Sequence, residues 1–252
     1  MKAALLQYSP AWEDKYQNKQ KIISFLEGLE QFDLLVLPEL TLTGFTMNAA
    51  KYSEELSGET FQFYGKLAGH YNINIIGGLI EKDSENIYNT LVHVGTDGRL
   101  LARYRKIHPF SYSDEDKYYS RGFEPVVTEI HGLKTGLTIC YDLRFPELYR
   151  SYGKNKVDMI INIANWPDTR IDHWRTLLKA RAIENQCYII GVNRVGDDPK
   201  LHYNGFSSVF DPMGKEITGC EDAERILIAE IDKNNIDLVR KKFPFLNDIK
   251  LI

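Results

Sequence analysis

Cys140 closes the run Gly136-Leu137-Thr138-Ile139 and is followed at once by Tyr141-Asp142-Leu143-Arg144-Phe145-Pro146-Glu147-Leu148. The apolar run reads as a strand, and Phe145 to Tyr152 as a helix with Pro146 in its first turn. A thiol placed between a strand and a helix stands outside the sheet, close to backbone N–H groups. Those groups can favour a thiolate and hold a developing oxyanion. The other two cysteines lack this setting. Cys187 lies in Gln186-Cys187-Tyr188-Ile189-Ile190, beside no ionisable side chain, and reads as a small buried residue. Cys220 follows Gly219 in what reads as a polar turn between strands.

A sulfur nucleophile needs a base and a group to hold the oxyanion. The six histidines, His70, His93, His108, His131, His173 and His202, are candidate bases, but none sits in a motif of the Cys–His proteases. A carboxylate is the other choice. Glu39 follows Pro38 at the end of the apolar run Leu34-Leu35-Val36-Leu37. That places it at the rim of a buried sheet, where α/β sites gather. Lys106 ends the run Leu101 to Arg105. On residue type alone, a surface-turn glutamate and a solvated strand-end lysine are the commoner readings, and three reactive types at three strand ends are suggestive without deciding between them.

The elements that must position these residues alternate from end to end. Ala3–Gln7, Asp33–Leu37, Asn74–Glu81, Lys134–Cys140, Val157–Ala164 and Cys187–Asn193 read as strands, several apolar on both faces. Ile87–Gly95 and Leu100–Arg105 read as a hairpin turned at Thr96-Asp97-Gly98. Phe206–Phe210 and Arg225–Ile231 are strands separated by the turn Asp211-Pro212-Met213-Gly214. Helices are expected over Trp12–Phe32, Glu59–Tyr71, Asp172–Gln186 and Asp232–Lys242, with an extended tail over Phe243–Ile252. This is the pattern of one α/β domain. Periodicity alone leaves a helix-covered pair of sheets and a doubly wound single sheet both open.

Composition narrows the class. The chain has 252 residues, 43% hydrophobic and 26% charged, with a net charge of 31 − 35 = −4. There is no basic stripe, which argues against a nucleic-acid partner. No apolar run reaches the roughly 18 residues of a membrane helix, and the N-terminus has no signal-peptide core, so a cytoplasmic protein is expected. Three cysteines are an odd, low number, against a disulfide framework.

Three segments together resemble the nitrilase superfamily of carbon–nitrogen hydrolases: Leu37-Pro38-Glu39, Tyr104-Arg105-Lys106-Ile107-His108, and Gly136 through Glu147 around Cys140. Their intervals fit as well, 106 − 39 = 67 and 140 − 106 = 34. Ala164-Asn165-Trp166-Pro167, Trp174, Leu178 through Gln186 and Gly191-Val192-Asn193-Arg194-Val195-Gly196 look like its omega-amidase branch. Members of that branch hydrolyse the terminal amide of 2-oxoglutaramate or 2-oxosuccinamate. The resemblance implies an α-β-β-α four-layer sandwich over a single domain, 1–252. It also implies a homodimer or higher homo-oligomer, with the tail (about 243–252) at the interface, and no metal or organic cofactor.

It implies Glu39, Lys106 and Cys140 as the catalytic triad, with the oxyanion held by Lys106 and the backbone N–H of Tyr141. A cation or base beside Cys140 is expected to favour its thiolate at neutral pH. Glu115, in Ser113-Asp114-Glu115-Asp116-Lys117, is expected to line the pocket, Asn165 and Trp166 to wall it, and Arg170 to grip a substrate carboxylate. Arg144 and Glu147 are expected to form a structural ion pair under the nucleophile turn. Lys179, Arg181 and Glu184 are expected on one helix, as a surface network or a subunit contact. The small-molecule amide could instead belong to another amidase, a nitrilase or an N-carbamoyl hydrolase. A non-catalytic binding protein on the same fold, the distant alternative, should have lost Glu39, Lys106 or Cys140, and all three are present.

Overall fold

β1 (Lys2–Gln7) carries the logic of the fold in four residues. Ala3 and Leu5 point to one side and Ala4 and Leu6 to the other, and all four are fully buried. A strand with no solvent face must lie between two layers. The computed structural model describes residues 1–251. In chain order the further strands are β2 (Leu34–Val36), β3 (Asn74–Asp83), β4 (Asn86–Val94), β5 (Leu100–Arg105), β6 (Val126–Ile130) and β7 (Leu133–Ile139). They continue as β8 (Met159–Ala164), β9 (Tyr188–Asn193), β10 (Val195–Asp197), β11 (His202–Phe210), β12 (Glu216–Glu221) and β13 (Arg225–Glu230). The helices are α1 (Lys15–Leu26), α2 (Ala49–Tyr52), α3 (Glu59–Tyr71), α4 (Glu115–Tyr118), α5 (Pro146–Lys154), α6 (Ile171–Asn185) and α7 (Lys233–Lys242).

The strands form two sheets. One runs β13-β1-β2-β3-β4-β5, and the other β10-β11-β9-β8-β7-β6 with β12 added on β11. The central pairs β1–β2, β2–β3, β7–β8 and β8–β9 are parallel. Ile22 and Leu26 of α1 and Tyr64, Leu67 and Ala68 of α3 pack with Ala4, Leu6, Leu35 and Ile75 on the outer face of the first sheet. Tyr149 and Tyr152 of α5 and Trp174, Leu178 and Ala182 of α6 pack with the second. Ala3, Leu5, Leu34, Val36 and Ile76 face the middle of the molecule. The fold is therefore the α-β-β-α sandwich and not a doubly wound single sheet. Each fully buried Leu or Ile contributes roughly 1.5–3 kcal/mol of transfer free energy, so doubly buried strands weigh heavily in its stability.

The hairpin at Thr96-Asp97-Gly98 forms as expected, with Gly95 N donating to Arg99 O at 2.9 Å and Gly98 at φ +77°. Other expectations are corrected. The first helix is shorter than Trp12–Phe32. The Asp14 carboxylate accepts from Gln17 N at 2.9 Å and starts it, while Gly28 at φ +76° turns the chain away and leaves Leu29 37% exposed. Cys220 is not in a turn but on β12, opposite Ser207, and is buried. β12 reads Glu216-Ile217-Thr218-Gly219-Cys220-Glu221, a polar edge strand whose composition mimics a loop. The tail is not uniformly extended, since Phe245–Asp248 makes one 3-10 turn after Pro244.

Candidate active site

Both sheets send the ends of their strands toward one place. Glu39 lies three residues beyond β2, Lys106 one residue beyond β5, and Cys140 one residue beyond β7. Gly78 of β3 lets the Glu39 turn approach: a Cβ there would stand 2.5 Å from Leu40 N and 3.1 Å from Glu39 Cα. No residue with a side chain fits that gap without moving the turn.

Glu39, Lys106 and Glu115 are all at most 1% exposed. Lys106 Nζ donates to Glu39 Oε1 at 2.9 Å and to Glu115 Oε2 at 2.8 Å and Oε1 at 3.1 Å. Asn89 Nδ2 donates to Glu39 Oε1 at 2.7 Å and to Glu115 Oε1 at 2.9 Å, so one amide ties both carboxylates. Asn165 N donates to Glu39 Oε2 at 2.8 Å, and Phe110 N to Glu115 Oε2 at 2.6 Å. Glu115 is buried although its neighbours Asp114 and Asp116 are exposed, because Asp114 at φ +62° starts α4 with Glu115 turned inward. Isolated buried charges cost several kcal/mol each, and this cluster is held by mutual pairing and by hydrogen bonds to nearly every oxygen.

Burial works against the Lys106 charge, but Glu115 and Glu39 outweigh it and hold the ammonium well above the usual lysine range. Burial raises the Glu115 carboxyl, with the Lys106 charge opposing and Glu39 adding to the rise. Burial, then the Glu39 charge, pushes the Cys140 thiol well up, and Lys106 opposes this only in part. The expectation of a resting thiolate is thus corrected. Two carboxylates face one ammonium, so the local field disfavours a third anion.

Cys140 sits at φ +45°, in the left-handed region, which costs a non-glycine residue about 1–3 kcal/mol. The surrounding turn, Cys140–Arg144, is a 3-10 helix pinned from several sides. The buried Asp142 carboxylate accepts from Ile139 N at 2.9 Å, Tyr104 OH at 2.7 Å, His108 N at 3.1 Å and His108 Nδ1 at 2.7 Å. It therefore links the turn to the segment that carries Lys106. Arg181 of α6, 5% exposed, donates to Leu143 O at 2.8 and 3.2 Å and to Glu184 at 3.0 Å. It braces the same turn and is not a surface residue. The Cys140 Sγ points toward Asn165 O at 3.9 Å.

A cavity of about 260 Å³ opens over Cys140. Tyr141, Asn165, Trp166 and Arg170 line it, as do Arg144, Phe110, Phe45, Trp12, Tyr203 and the loop Asp198–Leu201. Of the buried quartet only Cys140 reaches its wall, while Glu39, Lys106 and Glu115 hold their charges behind it. Asn165 Oδ1 has no hydrogen-bond partner among the described residues.

Arg144 does not pair with Glu147, which is exposed. The 3-10 turn ends at Phe145 before α5 begins, and this rotates Arg144 to the cavity side, over the Trp166 ring at 4.8 Å. Arg170 lies 5.5 Å from the Phe110 ring. Neither guanidinium is ion-paired with a carboxylate among the described residues. Arg144, four residues past Cys140 on the same tight turn, could have been read as a cavity residue from that spacing. Asn89, in Ile87-Tyr88-Asn89-Thr90-Leu91, gives no such signal. No cluster of three or more His, Cys, Asp or Glu side chains that could hold a metal ion occurs among the described residues.

The chain belongs to the carbon–nitrogen hydrolase family, whose model matches residues 2–241, and so to the nitrilase superfamily. It is a hydrolase of carbon–nitrogen bonds, and its relatives point to amides. It is 34% identical to the 2-oxoglutaramate amidase of Bacillus subtilis over 248 residues, 97% of this chain and 96% of the relative. It is 37% identical to the omega-amidase YafV of Yersinia enterocolitica over 254 residues, 98% of this chain and 96% of the relative. Among solved structures, a CN-hydrolase superfamily protein of Xanthomonas campestris superposes with a TM-score of 0.94 at 32% identity, over 100% of this chain and 98% of that one. Nit3 of Saccharomyces cerevisiae, a member of branch 10 of the nitrilase superfamily, gives 0.88 at 29% identity, over 97% and 94%.

Proposed function

We propose that this enzyme hydrolyses a small ω-amide with a carboxylate at its far end, of the 2-oxoglutaramate or 2-oxosuccinamate kind, through a thioester on Cys140. One observation carries the reading. A thiol backed by a buried Glu-Lys-Glu cluster opens into a cavity whose guanidinia, Arg144 and Arg170, have no carboxylate partner. Five-donor guanidinium forks match a substrate carboxylate, and the apolar walls suit a short carbon chain.

In this mechanism Glu39 takes the thiol proton as Cys140 Sγ bonds to the amide carbon. The upward push of burial and of the Glu39 charge on the thiol fits a proton moved in the attack itself. The Lys106 ammonium and the Tyr141 N–H hold the oxyanion. Loss of such a donor costs about 100- to 1,000-fold. Glu39 returns the proton to the departing ammonia. Water then attacks the thioester, Glu39 takes its proton, the carbon–sulfur bond breaks, and the thiol is reprotonated. Glu115 fixes Lys106, and Asn165 fixes Glu39 and walls the cavity with Trp166. Three free buried cysteines suit a reducing cytoplasm. The partly exposed Ile183 and Met213 suit a homodimer contact near α6.

The test is ammonia release from 2-oxoglutaramate, succinamate and a simple nitrile, with acyl-enzyme mass read on Cys140. Hydrolysis of the two ω-amides with a thioester adduct is expected. Activity on the nitrile alone would sink the reading. Loss of activity in Cys140→Ala with retained activity in Glu39→Gln would favour a Cys–His hydrolase.

A further inference from the structure

Arg144 would be a poor reader of substrate charge if its guanidinium were free to swing into solvent, because its long side chain is only half-buried. Its stacking partners are Trp166, with the ring centroid 4.8 Å away, and more distantly Tyr141 at 6.0 Å. Stacking fixes the plane of the fork but leaves its rotation within that plane open. One directional contact fixes the rotation: Arg144 Nη2 lies 3.1 Å from His173 Nδ1. Arginine has only donors, so Nδ1 is the acceptor in this contact.

The His173 side chain is exposed, as is its contact with Arg144, but its backbone stands on a firm base. It is the third residue of α6. The next residue, Trp174, is fully buried and donates from Nε1 to Phe206 O at 2.8 Å. The Trp166 platform is equally fixed, with its Nε1 on Arg170 O at 2.7 Å and its backbone N on Asn193 Oδ1 at 2.7 Å.

We propose that His173 is a positioning residue for substrate specificity, one that aims Arg144 into the cavity without neutralising it. The inference rests on the reading above, in which the cavity takes an anionic ω-amide. Its logic is the chemistry of the acceptor. An aspartate or glutamate at position 173 would orient the guanidinium as well, but would cancel its charge and compete with the substrate carboxylate. A neutral imidazole nitrogen occupies one of the five N–H groups and leaves the full charge and the remaining donors for a bidentate grip. His173 does not touch the reacting amide, so it should act on binding of the distal anion and not on the chemical step.

The test compares succinamate, an anionic ω-amide, with butyramide, a neutral amide of similar length, in wild type, His173→Leu, His173→Asn, His173→Asp and Arg144→Met. For His173→Leu, KM for succinamate should rise about threefold to tenfold, the upper end being the worth of one charge-assisted hydrogen bond and the lower end its value when solvent-exposed, with kcat and both butyramide constants unchanged within about twofold. His173→Asn, which offers an amide oxygen acceptor, should restore most of the succinamate KM. His173→Asp should raise that KM at least as much as His173→Leu by neutralising Arg144. Equal losses on both substrates in His173→Leu, or an unchanged KM ratio, would overturn the proposal. If Arg144→Met shifts the ratio and His173→Leu does not, the role of His173 alone fails. If Arg144→Met shifts nothing, or if wild type ignores succinamate, the anionic-substrate reading fails and takes this proposal with it.

Discussion

At the scale of the residue, the thiol and its neighbours set a testable protonation order. Cys140 is pushed up by burial and by the Glu39 charge, so at neutral pH the resting group is a thiol. Iodoacetamide should therefore alkylate wild-type Cys140 slowly near pH 7 and faster as pH rises beyond the ordinary cysteine range of about 8.5. In Glu39→Gln one of the opposing charges is gone. A lost negative neighbour lowers a thiol pKa. The alkylation profile should move to lower pH while amide turnover falls by at least about 100-fold, the usual worth of a general base. A profile that stays in place would show that Glu39 does not face the sulfur electrostatically. The candidate residues Glu39, Lys106 and Cys140 were legible in the sequence as chemistry-bearing types at three strand ends, which the structure brings together. Arg144 was misread because its tight turn gives it a direction that α-helical spacing does not. The charge of Glu115 was visible, but not its burial between two exposed aspartates.

At the scale of the element, the site depends on close approach of backbone. Gly78 on β3 leaves room for the turn that carries Glu39, and an added methyl would meet Leu40 N at 2.5 Å. Gly78→Ala should move the carboxylate by a fraction of an ångström to an ångström and cut kcat on the order of 100-fold. Thermal unfolding should drop far less than for a core cavity mutant. A variant with wild-type turnover would mean that the turn yields without displacing Glu39. The same reasoning explains what sequence pattern could reach. Doubly apolar β2, β8 and β9 announce themselves, because burial on both faces dictates their composition. β10 and β12 lie at or near a sheet edge, carry polar residues, and look like loops. Choosing between two stacked sheets and one wound sheet needs the partner of each face, which strand composition does not encode.

At the scale of the whole molecule, His93 ties the two sheets together. It is fully buried on β4, with Nδ1 2.9 Å from Thr128 Oγ1 of β6 and Nε2 3.0 Å from Asn74 Oδ1 of β3. Burial lowers its pKa from 6.5 to about 4. The folded protein thus keeps it neutral where the unfolded chain would protonate it. Its contribution is complete above the unfolded value and is lost as pH falls from there toward the folded value. The slope is about 1.4 kcal/mol per pH unit, so between pH 6.5 and 5 roughly 2 kcal/mol should disappear. Urea unfolding of wild type and His93→Gln at pH 7 and 5 measures this. The variant should be less stable at pH 7 but lose about 2 kcal/mol less on acidification. Equal losses would place the acid sensitivity elsewhere.

The buried trio beneath Cys140 has a consequence for the far end of the catalytic cycle. Glu39 and Glu115 set two carboxylates against the one ammonium of Lys106, a surplus of negative charge in the floor when both are ionised. An amide arrives there neutral, but hydrolysis leaves a carboxylate in the same place. On the proposed mechanism, the floor that tolerates the neutral amide disfavours the carboxylate it becomes, which should speed release of the acid. On the proposed ω-amide reaction, inhibition by the dicarboxylate product should accordingly be weak, with a constant about tenfold or more above the KM for the amide, and it should strengthen in Glu115→Gln, where one carboxylate against one ammonium leaves no net charge.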